Sequence, residues 1–125
     1  MNSALIIDDD KVVQAYLKRI LELKFSFTVY QALNGVEGLN FLKEIKPGLI
    51  FLDHSMPLMD GLEFLKIFRK DESNKNTPVF VISASKEIQI VKDMINLGVD
   101  DYILKPINPE ATYSRILKVL NDKKM

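Results

Sequence analysis

Short apolar runs and longer amphipathic stretches alternate along the chain. The runs are Ala4-Leu5-Ile6-Ile7, Phe27-Thr28-Val29-Tyr30, Leu49-Ile50-Phe51-Leu52, Val79-Phe80-Val81-Ile82 and Tyr102-Ile103-Leu104. The first, third and fourth are continuously apolar, as in strands covered on both faces; the second and last are more mixed or shorter and belong nearer an edge. Between them the spacing becomes helical. Val13, Leu17, Ile20 and Leu21 share one face, and Tyr113, Ile116, Leu117 and Leu120 do so near the end of the chain. The punctuation agrees with these limits. Asn34 and Asp60 are N-cap residues, each with a glutamate three positions on (Glu37 and Glu63) in a capping-box-like arrangement. Asn108-Pro109 places a cap and an N1 proline before the last helix, and Gly98 follows Leu97 where a left-handed C-cap is needed. Strand then helix, five times over, predicts an α/β fold: a parallel sheet with helices on both faces, joined by right-handed crossovers.

Composition narrows the possibilities. With 125 residues, 47% hydrophobic and 27% charged, the chain has the size and balance of one globular domain spanning 1–125. Its 17 basic and 17 acidic residues cancel, which argues against a direct nucleic-acid binder or a membrane-surface protein. The absence of cysteine excludes a disulfide framework, a thiolate zinc site and a cysteine nucleophile. No apolar run is long enough to cross a bilayer, and Asp8, Asp9 and Asp10 interrupt the first one, unlike a signal peptide. A soluble cytoplasmic protein is expected, with Lys123 and Lys124 as a solvated tail.

In an open parallel sheet, ligands bind beyond the carboxyl ends of the strands. The first run ends in Asp8-Asp9-Asp10, the third in Asp53, the fourth in Ser83 and the last in Lys105-Pro106. Taken singly, each is an ordinary turn, cap or surface residue. Together they bring carboxylates, a hydroxyl and an ammonium to one crevice. Two carboxylates about 4 Å apart repel by about 4 kcal/mol at an effective dielectric near 20, so either one keeps its proton or a cation is shared. An all-oxygen donor set without His or Cys favours a hard ion such as Mg²⁺. An opposing lysine then suits a phosphoryl group, whose charge wants cations on more than one side.

These residues resemble the receiver domain of two-component response regulators. The matching pieces are Leu5-Ile6-Ile7-Asp8-Asp9-Asp10, Asn34-Gly35-Val36-Glu37, Asp53 with Met56-Pro57 and Asp60-Gly61, Val81-Ile82-Ser83-Ala84, and Gly98 through Pro106. They run in order along the whole chain. The resemblance implies a flavodoxin-like, doubly wound five-stranded sheet of order 2-1-3-4-5. It implies that Asp53 is the phosphoacceptor for a histidine kinase or histidine phosphotransfer protein, and that Mg²⁺ is held by Asp9, Asp53, the Ser55 backbone carbonyl and, through water, Asp8. Lys105 is then the partner of Asp53 and later of the phosphoryl group. Ser83 is the switch hydroxyl, Tyr102 the aromatic that follows it inward, and Lys105-Pro106 a cis bond. The module catalyses only its own phosphoryl transfer and slow self-dephosphorylation, as a monomer or weak dimer.

Several positions refine this expectation. Ser83 stands where many relatives carry threonine, giving the same hydroxyl with a looser rotamer. Ser55 and Ser85 are small, leaving room for an attacking water and implying a phosphoryl group that is not very long-lived. His54 is a variable flanking residue. Between 88 and 97 the apolar residues form two stripes, Ile88-Val91-Ile95 and Ile90-Met94-Leu97, at 100° per residue. One packs on the sheet, and the other belongs to a partner surface within 88–117 that meets a downstream target. Two further readings use the same sheet. A Mg²⁺-dependent phosphatase or phosphomutase would place a second Asp where Ser55 stands, and a flavin module would need a Ser/Thr/Gly-rich loop where Asp8-Asp9-Asp10 repels phosphate.

Overall fold

The computed structural model describes residues 2–123. Five strands and five α-helices alternate: β1 (Ser3–Ile7), α1 (Lys11–Phe25), β2 (Thr28–Ala32), α2 (Gly35–Leu42), β3 (Leu49–Leu52), α3 (Gly61–Lys70), β4 (Val79–Ser83), α4 (Ile88–Asn96), β5 (Asp101–Leu104) and α5 (Pro109–Asp122). A single 3-10 turn, Glu72–Asn74, lies between α3 and β4. All strand pairs are parallel, in the order β2-β1-β3-β4-β5. This is the doubly wound, flavodoxin-like order, with the two mixed runs at the edges.

Alternation along each inner strand divides the core into two layers. Ala4, Ile6, Leu49, Phe51, Phe80 and Ile82 pack with the buried faces of α1 and α5. Their neighbours Leu5, Ile7, Ile50, Leu52, Val79 and Val81 pack with Phe64, Leu65, Phe68 and Met94 from α3 and α4 on the other side. Each such side chain contributes about 1.5–3 kcal/mol when fully buried, so slipping a strand by one residue would exchange the two layers at prohibitive cost.

The helix boundaries follow their caps. Asp10 accepts from the Val12 and Val13 amides, Asn108 from Ala111, and Asp60 with Glu63 forms a complete capping box. At α2 the box is displaced by one residue: Asn34 accepts from the Glu37 amide, but the Glu37 carboxylate receives the Leu33 amide. Gly98 has φ +81, the left-handed conformation that releases the chain from α4 towards β5.

The structure corrects three details of the sequence reading. β2 begins at Thr28 and extends to Ala32, while Phe27 packs beside α1 and α5 instead of joining the ladder. Leu117 is 38% exposed, since Ile116 and Leu120 already fill the α5 side of the core. Lys123 is no solvated tail: its ammonium pairs with Asp100 at 3.1 Å. Lys124 lies outside the described residues. In α4 the Ile90-Met94-Leu97 stripe turns to the sheet, with Met94 fully buried, and leaves Ile88 and Ile95 facing solvent. Among the described residues, no helix is long and apolar enough to cross a membrane.

Candidate functional site

The site is assembled by the last rungs of the sheet. Beyond β1, the Asp8 amide donates to Ala32 O at 3.0 Å; beyond β3, the Asp53 amide donates to Ile7 O at 2.9 Å; beyond β5, the Lys105 amide donates to Ser83 O at 2.9 Å. Each charged residue is therefore the first one past its strand, and the parallel register delivers all three to the same edge. Asp8, Asp53 and Ser83 are buried, whereas Asp9 is exposed at the mouth.

Lys105 bridges the two buried carboxylates. Its Nζ lies 3.2 Å from Asp53 Oδ2 and 3.2 Å from Asp8 Oδ2. Carboxylate oxygens of Asp8, Asp9 and Asp53 all fall within 4.8 Å of one another. One ammonium facing three carboxylates leaves an excess of negative charge. Burial pushes Asp8 from the ordinary 3.8 up to about 7; Asp53 adds to the rise, and the Asp10 amide and Lys105 oppose it. Burial pulls Lys105 downward, but the charges of Asp8 and Asp53 outweigh it and hold the amine above its ordinary value. This donor set fits a hard divalent cation: three clustered carboxylates, all oxygen, with one carboxyl kept near its proton-binding range by its burial and, secondarily, by Asp53.

The remaining predicted residues lie around this cluster. Ser83 Oγ accepts from the Ser85 amide at 3.1 Å, and Tyr102 Oη donates to the Ser85 carbonyl at 3.0 Å, so both engage one loop after β4. Ser55, two residues past Asp53, is exposed in the loop after β3, and His54 is half-buried. The Lys105-Pro106 bond is cis.

The sequence reading missed the part that Gln14 plays at the site and the contact that Gly61 makes there. Gln14, fully inside α1, donates its side-chain amide to Ile6 O, Asp8 O and Ala32 O at 3.1, 3.0 and 2.7 Å, tying the ends of β1 and β2 behind the carboxylates. Its signal was a polar residue beside Val13, Leu17 and Leu21 on an otherwise apolar face. Gly61 lies against the acceptor's backbone: a Cβ there would stand 2.1 Å from Asp53 O, and its amide donates to His54 O at 2.8 Å. The sequence showed the glycine but not this contact.

Comparison with known proteins agrees with the geometry. The family model described as response regulator receiver domain matches residues 4–117. The chain is 32% identical over 120 residues to the DNA-binding dual master transcriptional regulator RpaA of Synechocystis, covering 96% of this chain and 49% of that protein. It is 31% identical over 120 residues to hybrid signal transduction histidine kinase D of Dictyostelium discoideum, covering 96% of this chain but 8% of that protein. The chain thus spans half or less of the length of these relatives. Among solved structures, a CheY-like response regulator receiver domain from Methanospirillum hungatei superposes with a TM-score of 0.89 at 27% identity, covering 99% of this chain and 97% of that one. With the strand order, the acidic edge and these matches in agreement, the chain belongs to the response regulator receiver domain family.

Proposed function

We propose that this receiver domain accepts a phosphoryl group on Asp53 from a phosphohistidine of a histidine kinase or phosphotransfer protein, and that the modification alters a surface read by a downstream target. One observation carries this reading: Asp53 sits at the floor of a cleft with Lys105 at 3.2 Å and the carboxylates of Asp8 and Asp9 within 4.8 Å. In the transfer, an Asp53 carboxylate oxygen attacks phosphorus. The new P–O bond forms as the P–N bond breaks, and the imidazole nitrogen leaves with the electron pair. Water later attacks the acyl phosphate and restores the carboxylate with release of inorganic phosphate.

Asp8, Asp9, Asp53 and the Ser55 backbone carbonyl would hold Mg²⁺, which when bound supplies positive charge opposite Lys105 for the phosphoryl oxygens. Lys105 releases Asp53 as its carboxylate oxygen becomes esterified and turns its ammonium to a phosphoryl oxygen. Ser83 exchanges the Ser85 amide for the phosphoryl group as its hydroxyl becomes a donor. Phosphorylation adds a charge of about −1.5 to −2 and fresh acceptor oxygens, so the pull on Ser83 exists only in the modified form. Tyr102 is coupled to that movement because it holds the carbonyl of the same Ser85. The shift in population equals the difference in contact energy between the two states and no more.

Incubation with acetyl phosphate and Mg²⁺, followed by intact mass measurement, tests the reading. A gain of one phosphoryl group that is lost in Asp53→Asn supports it. Labelling that persists in Asp53→Asn refutes it, and steady turnover of a phosphomonoester replaces it with the phosphatase reading.

A further inference from the structure

Arg69, in the last turn of α3, touches none of the cleft residues, yet its guanidinium donates to four backbone carbonyls. Nε reaches Leu97 O at 2.9 Å and Nη2 reaches Gly98 O at 2.8 Å, both at the end of α4. Nη1 reaches Asn74 O at 2.6 Å and Thr77 O at 3.1 Å, on the segment leading into β4. A planar cation with several fixed donors is suited to joining two chain segments in this way. Asp100 tightens the same corner: its amide donates to Val79 O at 2.8 Å, and its carboxylate accepts from the Val79 amide at 2.9 Å and pairs with Lys123. The end of α4 is therefore bound into a polar knot at the start of β4, on the sheet edge opposite Asp53.

The other end of α4 is held differently. Glu87 occupies its N-cap position without a side-chain hydrogen bond, and Ile88, the first helical residue, is 72% exposed. Among the described residues, the loop entering the helix is hydrogen-bonded to the rest of the fold through Ser85, to Ser83 and Tyr102. Those are the contacts that the proposed function requires to exchange. A nine-residue helix is about 13 Å long, so a tilt of about 10° about a fixed last turn moves the first turn by about 2 Å and leaves the last in place.

We propose that Arg69 is the pivot of α4: by fixing the helix's last turn it confines the movement that follows phosphorylation to residues 84–92, so the downstream partner reads the acceptor-proximal half of the helix. This inference rests on the phosphoacceptor reading of Asp53. Arg69 is a positioning residue here, acting through the Leu97 and Gly98 carbonyls that cap the end of α4.

Hydrogen exchange on the full chain, with and without beryllium fluoride and Mg²⁺, tests it; beryllium fluoride on a carboxylate mimics a phosphoryl group. In the unsubstituted protein the reagent should change exchange over 84–92 by about fivefold or more and over 94–99 by less than about twofold. In Arg69→Gln and Arg69→Lys, neither of which reproduces the four-carbonyl fork, the change should spread through 94–99. A merely structural arginine would instead accelerate exchange equally with and without the reagent, and that result overturns the proposal. So does a response in the unsubstituted protein as large at 94–99 as at 84–92, an observation that needs no variant to fold. Absence of any response, together with no phosphoryl gain from acetyl phosphate, would overturn the phosphoacceptor reading itself and with it the pivot.

Discussion

Replacing Asp8 with asparagine should stabilise the metal-free protein, and the gain should depend on pH. The folded protein holds the Asp8 carboxyl near pKa 7 against 3.8 ordinarily. Between those values the folded chain keeps a proton that the unfolded chain has released, so stability falls as pH rises from about 4 to 7 and the full cost is present above 7. At about 1.36 kcal/mol per pH unit, this interval corresponds to about 4 kcal/mol. Relaxation of the surroundings around a buried charge brings the expected effect to about 2 kcal/mol. Asparagine keeps the shape and removes the ionisation. Urea unfolding of both proteins from pH 4.5 to 8.5 with a chelator present measures the difference directly. The stability of Asp8→Asn relative to the parent should climb through the window and level off above pH 7. Millimolar Mg²⁺ should then raise the parent's stability above its chelated value, by an amount that grows with the logarithm of free Mg²⁺ once above Kd, and leave the variant nearly unmoved. A difference that is flat with pH, or that shrinks as pH rises, would refute the reading of Asp8 as a buried carboxyl held near pKa 7.

Other consequences are open to simpler assays. Gly61→Ala should lower stability by about 2 kcal/mol and slow acetyl phosphate labelling, because the added methyl displaces the Asp53 carbonyl; unchanged labelling would show that the acceptor loop yields freely. Gln14→Met removes a donor shared by three carbonyls and should cost about 2 kcal/mol in chemical denaturation. Leu58 has φ 68 and is 82% exposed, so Leu58→Gly should raise the melting temperature, with a gain of about 1 kcal/mol from the relieved conformation; a loss would reveal a contact that compensates it. With small Ser55 and Ser85 in the loops after β3 and β4, the phosphoryl group on the isolated chain should be lost well within hours, as followed by intact mass.

Much of this architecture was written in local pattern. Leu49–Leu52 reads as an inner strand because no polar residue interrupts it, and Asp60 with Glu63 marks the start of α3 without any tertiary information. The charged residues at the strand ends were legible too, since parallel pairing sends every carboxyl end to one edge. What depends on three-dimensional register was not. That Lys105 bridges Asp8 as well as Asp53 follows from β1 and β3 being neighbours, and no property of the Asp8-Asp9-Asp10 string distinguishes the buried first carboxylate from the exposed second. Lys123 looked like a tail because its partner Asp100 is far away in sequence. The fate of the two α4 stripes turned on which side of the sheet the crossover passes, and helical periodicity is silent about that.

The strand order also sets when during synthesis the cleft comes into being. Asp8 and Asp53 follow adjacent strands, β1 and β3, both encoded in the first half of the chain. Lys105 follows β5, which reaches them only through β4. A growing polypeptide thus carries its crowded acids well before the counter-charge that tames them arrives. In the finished sheet, docking of β5 is what brings the ammonium of Lys105 against the two acids, so the edge strand carries the charge that the inner strands lack.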